Sequence, residues 1–217
     1  MVWSDWKLIG RGAQGSIHLV RGEDGVVCVA KRVDTVHLTK KELAGARREC
    51  GLLRTLAHPH IVTYVDSYAE GTQALILVME WCAGGDLARH VAEARERKRR
   101  YDDACVARWC AQMADALEYV HARLVLHRDL KASNVFLTRD ERDVKLGDFG
   151  VSKILESTLA DANSVVGTPQ YLSPELCENR PYSFSSDLWA LGCVLYELCA
   201  LERPFAATTL LRVVYSV

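Results

Sequence analysis

Asp129, Lys131 and Asn134 fall within six residues of one another in His127-Arg128-Asp129-Leu130-Lys131-Ala132-Ser133-Asn134, and Asp148-Phe149-Gly150 follows. A carboxylate, an ammonium, an amide and a second carboxylate are the types that phosphoryl transfer uses. One group orients the incoming hydroxyl, oxygen donors hold a divalent cation, and positive charge neutralises the phosphates. Lys31, at the end of the apolar run Val26-Val27-Cys28-Val29-Ala30, is a further cation for that purpose. A lysine pinned on a core strand calls for a counter-charge, and Glu49, 18 residues on in the following helix, can supply it. Taken alone, Lys31 also reads as an ordinary exposed lysine at a strand end.

Gly10-Arg11-Gly12-Ala13-Gln14-Gly15-Ser16-Ile17 matches G-x-G-x-x-G-x-[V/I]. Glycine lets backbone approach phosphate oxygens, because no Cβ intervenes and positive φ costs little. The same pattern opens dinucleotide-binding folds, where a helix starts at the third glycine. Here Ser-Ile-His-Leu-Val-Arg-Gly follows instead, a strand and a turn. That excludes a dinucleotide-dependent oxidoreductase and points to a hairpin folded over a nucleotide.

Gly167-Thr168-Pro169 and Ser173-Pro174-Glu175 complete an ordered set of motifs that resembles the eukaryotic protein kinases. Leu146-Gly147-Asp148-Phe149-Gly150, Val166 to Leu176, Ser186 to Leu198, Met79-Glu80-Trp81-Cys82 and Gly84-Gly85-Asp86-Leu87 resemble the NIMA-related (NEK) kinases closely. The resemblance runs from Trp6 to about Phe205. It implies an α+β, two-lobed kinase fold: a β-rich N-lobe over 1–80, a hinge over 81–85 and a partial, mostly helical C-lobe over 86–217.

It also implies roles. Gly10, Gly12 and Gly15 would cover the triphosphate of ATP, with Lys31 on the α- and β-phosphates and Glu49 holding Lys31. Asp129 would accept or orient the proton of a serine or threonine hydroxyl on a protein substrate, and Lys131 would steady the γ-phosphate. Asn134 and Asp148 would bind Mg²⁺. Ile9, Ile17, Val29, Met79 and Phe136 would wall the adenine pocket, with backbone groups of Glu80 and Cys82 on the base. Ser164 occupies the activation-loop phosphorylation position, with Ser157 and Thr158 as competing sites. A phosphate there adds roughly −1.5 to −2 charges for Arg128 to meet. A homodimer or an activating kinase, and a place near microtubules, centrosomes or cilia, are further implications.

These groups need elements to carry them. Strands are expected at Lys7 to Ile9, Ser16 to Val20, Val26 to Val33, Ile61 to Tyr68 and Ala74 to Glu80, with a helix over Lys40 to Leu56. Asp86 is placed as the N-cap of a helix through Glu96, and Ala104 to His121 as a core helix. Short strands at Val135 to Leu137 and Val144 to Leu146 flank a charged turn, and Ser186 to Leu201 reads as a second apolar helix. Asp187 on it is expected to hydrogen-bond the catalytic-loop backbone, since a buried carboxylate is costly unless satisfied. Tyr64, Leu53, His127 and Phe149 are expected to stack.

The chain stops at Val217, inside what resembles the next kinase helix. Two expectations follow: Glu175, without the arginine that family members pair with it, keeps an unmatched charge or finds water, and the apolar face of Ser186 to Leu201 is short of cover. The alternative reading is therefore a catalytically incompetent fragment that binds nucleotide or a partner.

Composition narrows the rest. Twenty-seven Lys and Arg against 28 Asp and Glu, a net charge of −1, argue against a protein that coats nucleic acid. No apolar stretch is long enough to span a bilayer, no secretory signal opens the chain, and the eight cysteines show no C-x2-C spacing. The expectation is a cytoplasmic chain, engaging neither nucleic acid nor membrane, with reduced and mostly buried thiols. The basic run Arg95, Arg97, Lys98, Arg99 and Arg100 reads as a solvated helix end or a partner-binding patch.

Overall fold

In a computed structural model, residues 2–12, 15–36, 39–149 and 169–205 are described. They form two compact units, one from residues 2–58 and 62–81, the other from 59–61, 82–149 and 169–205.

The first unit is a five-stranded antiparallel sheet with one helix. Its strands are β1 (Trp3–Gly12), β2 (Gly15–Gly22), β3 (Val27–Asp34), β4 (Tyr64–Glu70) and β5 (Ala74–Glu80), in the order β1-β2-β3-β5-β4. Helix α1 (Lys40–Leu53) lies against β4. On one face Val20, Cys28, Ala30, Ala74, Ile76 and Val78 form a core, with Trp3 and Val65 packed against it. β3 alternates over its first half, with Cys28 and Ala30 turned into that core, while Val33 is buried on the opposite face. β5 is buried from Ala74 to Met79, so both of its faces are covered, as its unbroken apolar run requires.

The second unit holds β6 (Gly85–Asp86), β7 (Val135–Leu137) and β8 (Val144–Leu146), an antiparallel three-stranded sheet in that order. Its helices are α2 (Leu87–Glu96), α3 (Asp103–His121), α4 (Pro174–Cys177) and α5 (Phe184–Ala200). Asp86 caps α2, its Oδ1 accepting from Arg89 N at 2.9 Å. α5 packs on α3 with Ala190, Leu191, Val194 and Leu198 buried at helical spacing.

Two apolar patterns overshoot their elements. Leu56 is buried, but from a turn in which its N–H meets Leu53 O at 3.1 Å, so α1 ends at Leu53 and not at Leu56. Ile61 is buried too, yet it makes an isolated parallel bridge with Leu146 in the second unit, and β4 begins only at Tyr64. All eight cysteines are free, but only Cys28, Cys50 and Cys193 are buried, which corrects the expectation of mostly buried thiols.

Candidate active site

The second unit gathers the catalytic-loop residues around one carboxylate. Lys131 Nζ lies 2.9 Å from Asp129 Oδ2. Asn134 Nδ2 donates to the same oxygen at 2.9 Å and to Asp129 O at 2.7 Å. With its amide nitrogen spent on Asp129, Asn134 keeps its carbonyl oxygen as an acceptor. Gly147 N donates to Asn134 O at 2.9 Å and so ties the end of β8 to the short 3₁₀ turn Ala132–Asn134. Arg128 and Asp148 both sit at positive φ, 64° and 54°, a backbone cost that a tightly hydrogen-bonded loop has to carry.

Asp187 carries that loop. It is fully buried, and both of its oxygens are saturated. Oδ2 accepts from His127 N at 2.9 Å and from His121 Nε2 at 2.8 Å. Oδ1 accepts from Arg128 N at 3.1 Å and from the Tyr182 hydroxyl at 2.6 Å. The expected bond from Asp187 to the catalytic-loop backbone is present. His121 and Tyr182 are additions that no local pattern announces, because they meet Asp187 from α3 and from the segment before α5.

His127 is buried with its Nε2 lacking a hydrogen-bond partner among the described residues, while Asp129 N donates to its Nδ1 at 3.4 Å. Burial pushes its pKa down, against the opposing pull of Asp187, Asp129 and Asp148, so the ring is held neutral. It packs on Phe149 with ring centroids 4.5 Å apart, the part of the expected stack that lies within this unit. Tyr171 adds a second tie: Ala132 N donates to its hydroxyl at 3.4 Å, and that hydroxyl donates to buried Glu197 on α5. Phe136 is half-buried on β7 beside Asp86, and Cys82 O accepts from Gly85 N at 3.1 Å.

The first unit supplies a sheet face. Ile17 is paired with Lys31 and Lys31 with Leu77, while Val29 is paired with Leu19 and Met79. Directly opposed residues of antiparallel strands share a face, so Ile17, Val29, Lys31 and Met79 line one side, opposite the Cys28 and Ala30 core. Gly10 pairs with Ile17 and Gly12 with Gly15, which closes the hairpin beside them, and Ile9 is exposed at a register shift. Gly15 has φ 148°, and a Cβ there would stand 1.8 Å from Arg32 O. Its glycine is thus demanded by its own sheet as well as by any phosphate. Glu80 N donates to Thr63 O at 2.9 Å, and its Oε1 accepts from Thr63 N at 2.7 Å. The Glu49 side chain, Gly150 and Ser164 lie outside the described residues.

Asn134 and Asp148 offer an amide oxygen and a carboxylate, hard donors suited to Mg²⁺, which takes one or two protein oxygens and completes its shell with phosphates and water. Among the described residues no three His, Cys, Asp or Glu converge as a dedicated metal cage. Glu175 departs from expectation. The Ser185 and Ser186 hydroxyls donate to its carboxylate, and the bond from Ser186 above all holds its pKa below the ordinary range. The serines at the start of α5 thus satisfy the charge that was expected to go unmatched. On α5 Leu188 and Tyr196 are exposed, whereas the Trp189 ring stacks on Phe205 at 5.7 Å.

The family model for the protein kinase domain matches residues 3–215. Human serine/threonine-protein kinase Nek5 is 39% identical over 212 residues, 97% of this chain and 30% of that protein. Mouse Nek1 is 42% identical over 96% of this chain and 17% of its own length. Zebrafish (Danio rerio) Nek8 is 43% identical over 94% of this chain and 29% of its own length. The chain thus spans less than a third of each of these three relatives.

Proposed function

The chain belongs to the protein kinase domain family, and from that premise we propose that it transfers the γ-phosphate of ATP to serine and threonine hydroxyls of proteins, as a Nek-like kinase. The observation that carries the proposal is the Asp129 carboxylate with Lys131 and Asn134 both on Oδ2. Two donors on Oδ2 fix the rotation of the carboxylate that is to meet a substrate hydroxyl. Asp129 then orients that hydroxyl and receives its proton, while Lys131, already beside it, offers positive charge to the phosphoryl group in flight. Mg²⁺, held by Asn134 and Asp148, would supply charge neutralisation to the phosphates.

On the other unit, Lys31 is the proposed phosphate cation and Glu49 its proposed partner. Ile17, Val29 and Met79 share its sheet face and would take the apolar base, with Ile9 and Phe136 as further walls. Backbone groups of Glu80 and Cys82 would hydrogen-bond the base. Gly10, Gly12 and Gly15 would cover the phosphates. Phosphorylation of Ser164 by an activating kinase, read by Arg128, is part of the same proposal, as are a homodimer and a place near microtubules, centrosomes or cilia. No helix among the described residues is long and apolar enough to cross a membrane. The binding-only alternative has less support, because such a module needs no paired Asp129, Lys131 and Asn134.

The test is the acceptor. The full chain is incubated with Mg²⁺-ATP and matched peptides carrying serine, threonine or tyrosine, and phosphate is located by mass spectrometry. Phosphate on serine or threonine is expected. Transfer confined to tyrosine, or to none of the three, would overturn the assignment.

A further inference from the structure

The basic run that ends α2 has no part in the phosphoryl chemistry proposed above. Five of the six residues from Arg95 to Arg100 are cationic, against one carboxylate, Glu96, in a chain of net charge −1. All six are exposed. Arg97 is the one cation of the run with an ion pair among the described residues, at 3.7 Å from Glu93, whose other oxygen is taken by Arg89 at 3.2 Å. Arg95, Lys98, Arg99 and Arg100 are therefore exposed with no carboxylate among the described residues on them.

A helix C-terminus draws cations, but its partial charge is only about −0.5 and acts within the last turn. That offsets a fraction of one charge, not four. The backbone beneath them is also fixed. Arg97 N donates to Glu93 O at 3.0 Å, Lys98 N to Arg95 O at 3.1 Å and Arg99 N to Ala94 O at 2.9 Å, with Lys98 turned to φ 50°. Tyr101 then anchors the run by packing edge-on to Trp109, centroids 5.3 Å apart, while Trp109 Nε1 donates to Arg142 O at 3.1 Å. A partner would meet cations on an ordered platform, with part of the entropic cost of binding already met.

The chemistry around the run selects the partner. Single-stranded nucleic acid binds where aromatic rings are open for stacking, and Tyr101 is taken by Trp109. An interfacial membrane helix needs apolar residues to insert beside its cations, and Arg95 to Arg100 contains none. A peptide rich in Asp and Glu needs only spaced carboxylates, which arginine forks hold two bonds at a time. We propose that Arg95, Lys98, Arg99 and Arg100 form a docking surface for an Asp/Glu-rich segment of a partner protein. The surface goes beyond the phosphoryl transfer proposed above and does not depend on it.

The test is fluorescence anisotropy of a labelled Glu/Asp-rich peptide on the full chain, beside a Gln/Asn peptide of equal length and phosphatidylserine vesicles. The acidic peptide is expected to bind, to weaken with added salt and to outbind the amide peptide. Replacing Arg95, Lys98, Arg99 and Arg100 together by glutamine is expected to weaken it by about tenfold, since four exposed ion pairs each contribute a fraction of that factor. Glu96→Gln, which removes the one carboxylate within the run and stands whether or not the fourfold variant folds, is expected to tighten binding by about twofold. Equal binding of the two peptides, indifference to both variants, or binding of vesicles without binding of the acidic peptide would overturn the proposal.

Discussion

Tyr182→Phe removes a single oxygen and leaves the ring in place. That hydroxyl donates to Asp187 Oδ1 at 2.6 Å, and Asp187 in turn accepts the N–H groups of His127 and Arg128 directly before Asp129. Burial first, and then the charge of Asp187, hold the phenol far above its ordinary pKa, so it is a donor at every working pH. A hydrogen bond to a charged group contributes about 1.5–3 kcal/mol, and the Phe variant loses it without opening a large cavity. For a chain of this size, each kcal/mol moves the unfolding midpoint by about 2–4 °C, so a drop of roughly 3–12 °C is expected. Thermal unfolding measures it, and amide exchange at His127 and Arg128 localises it, because the carboxylate that holds both loses one of its four bonds. A midpoint within about 0.5 kcal/mol of the parent, with exchange at those two amides unchanged, would refute the view that a saturated Asp187 holds the loop.

Gly15→Ala places a Cβ 1.8 Å from Arg32 O at φ 148°, and urea unfolding should show a loss of about 1–3 kcal/mol or more. Leu124 sits at φ 59° and is 83% exposed, so Leu124→Gly relieves strain without losing buried area and should stabilise by about 0.5–1 kcal/mol in the same assay. His127 has its folded-state pKa lowered from the ordinary 6.5, so the unfolded chain takes up that proton first. Its contribution to stability is full above pH 6.5 and is lost as pH falls toward the lower folded value. Unfolding midpoints should therefore decline on acidification below 6.5, and His127→Phe should flatten that decline.

Much of the fold was legible because its signals are local. The Asp86 cap, the unbroken apolar run of β5 and the β7–β8 hairpin lie where the sequence puts them, each within a window of a few residues. The boundaries that moved are those where an apolar residue is buried by something other than its expected element. Leu56 packs from a turn, and Ile61 bridges to Leu146 and not within β4. The site divides in the same way. Asp129, Lys131 and Asn134 are neighbours in sequence, so their grouping was legible, whereas their bonds to one another come from the structure. His121 and Tyr171 reach their carboxylate partners across 66 and 26 residues, a separation at which residue type alone carries no signal. Glu175 was misjudged because a carboxylate can be satisfied by nearby hydroxyls as well as by a distant arginine, and Ser185 and Ser186 do so.

The most direct test of the central claim is γ-phosphate transfer from Mg²⁺-ATP to a protein substrate by the parent chain and by Asp129→Asn, with nucleotide binding followed in parallel. If Asp129 orients the hydroxyl and receives its proton, the variant binds nucleotide as the parent does while transfer falls by about 10²–10⁴-fold. Transfer undiminished in Asp129→Asn, or a parent chain that binds nucleotide and transfers nothing, would contradict the account.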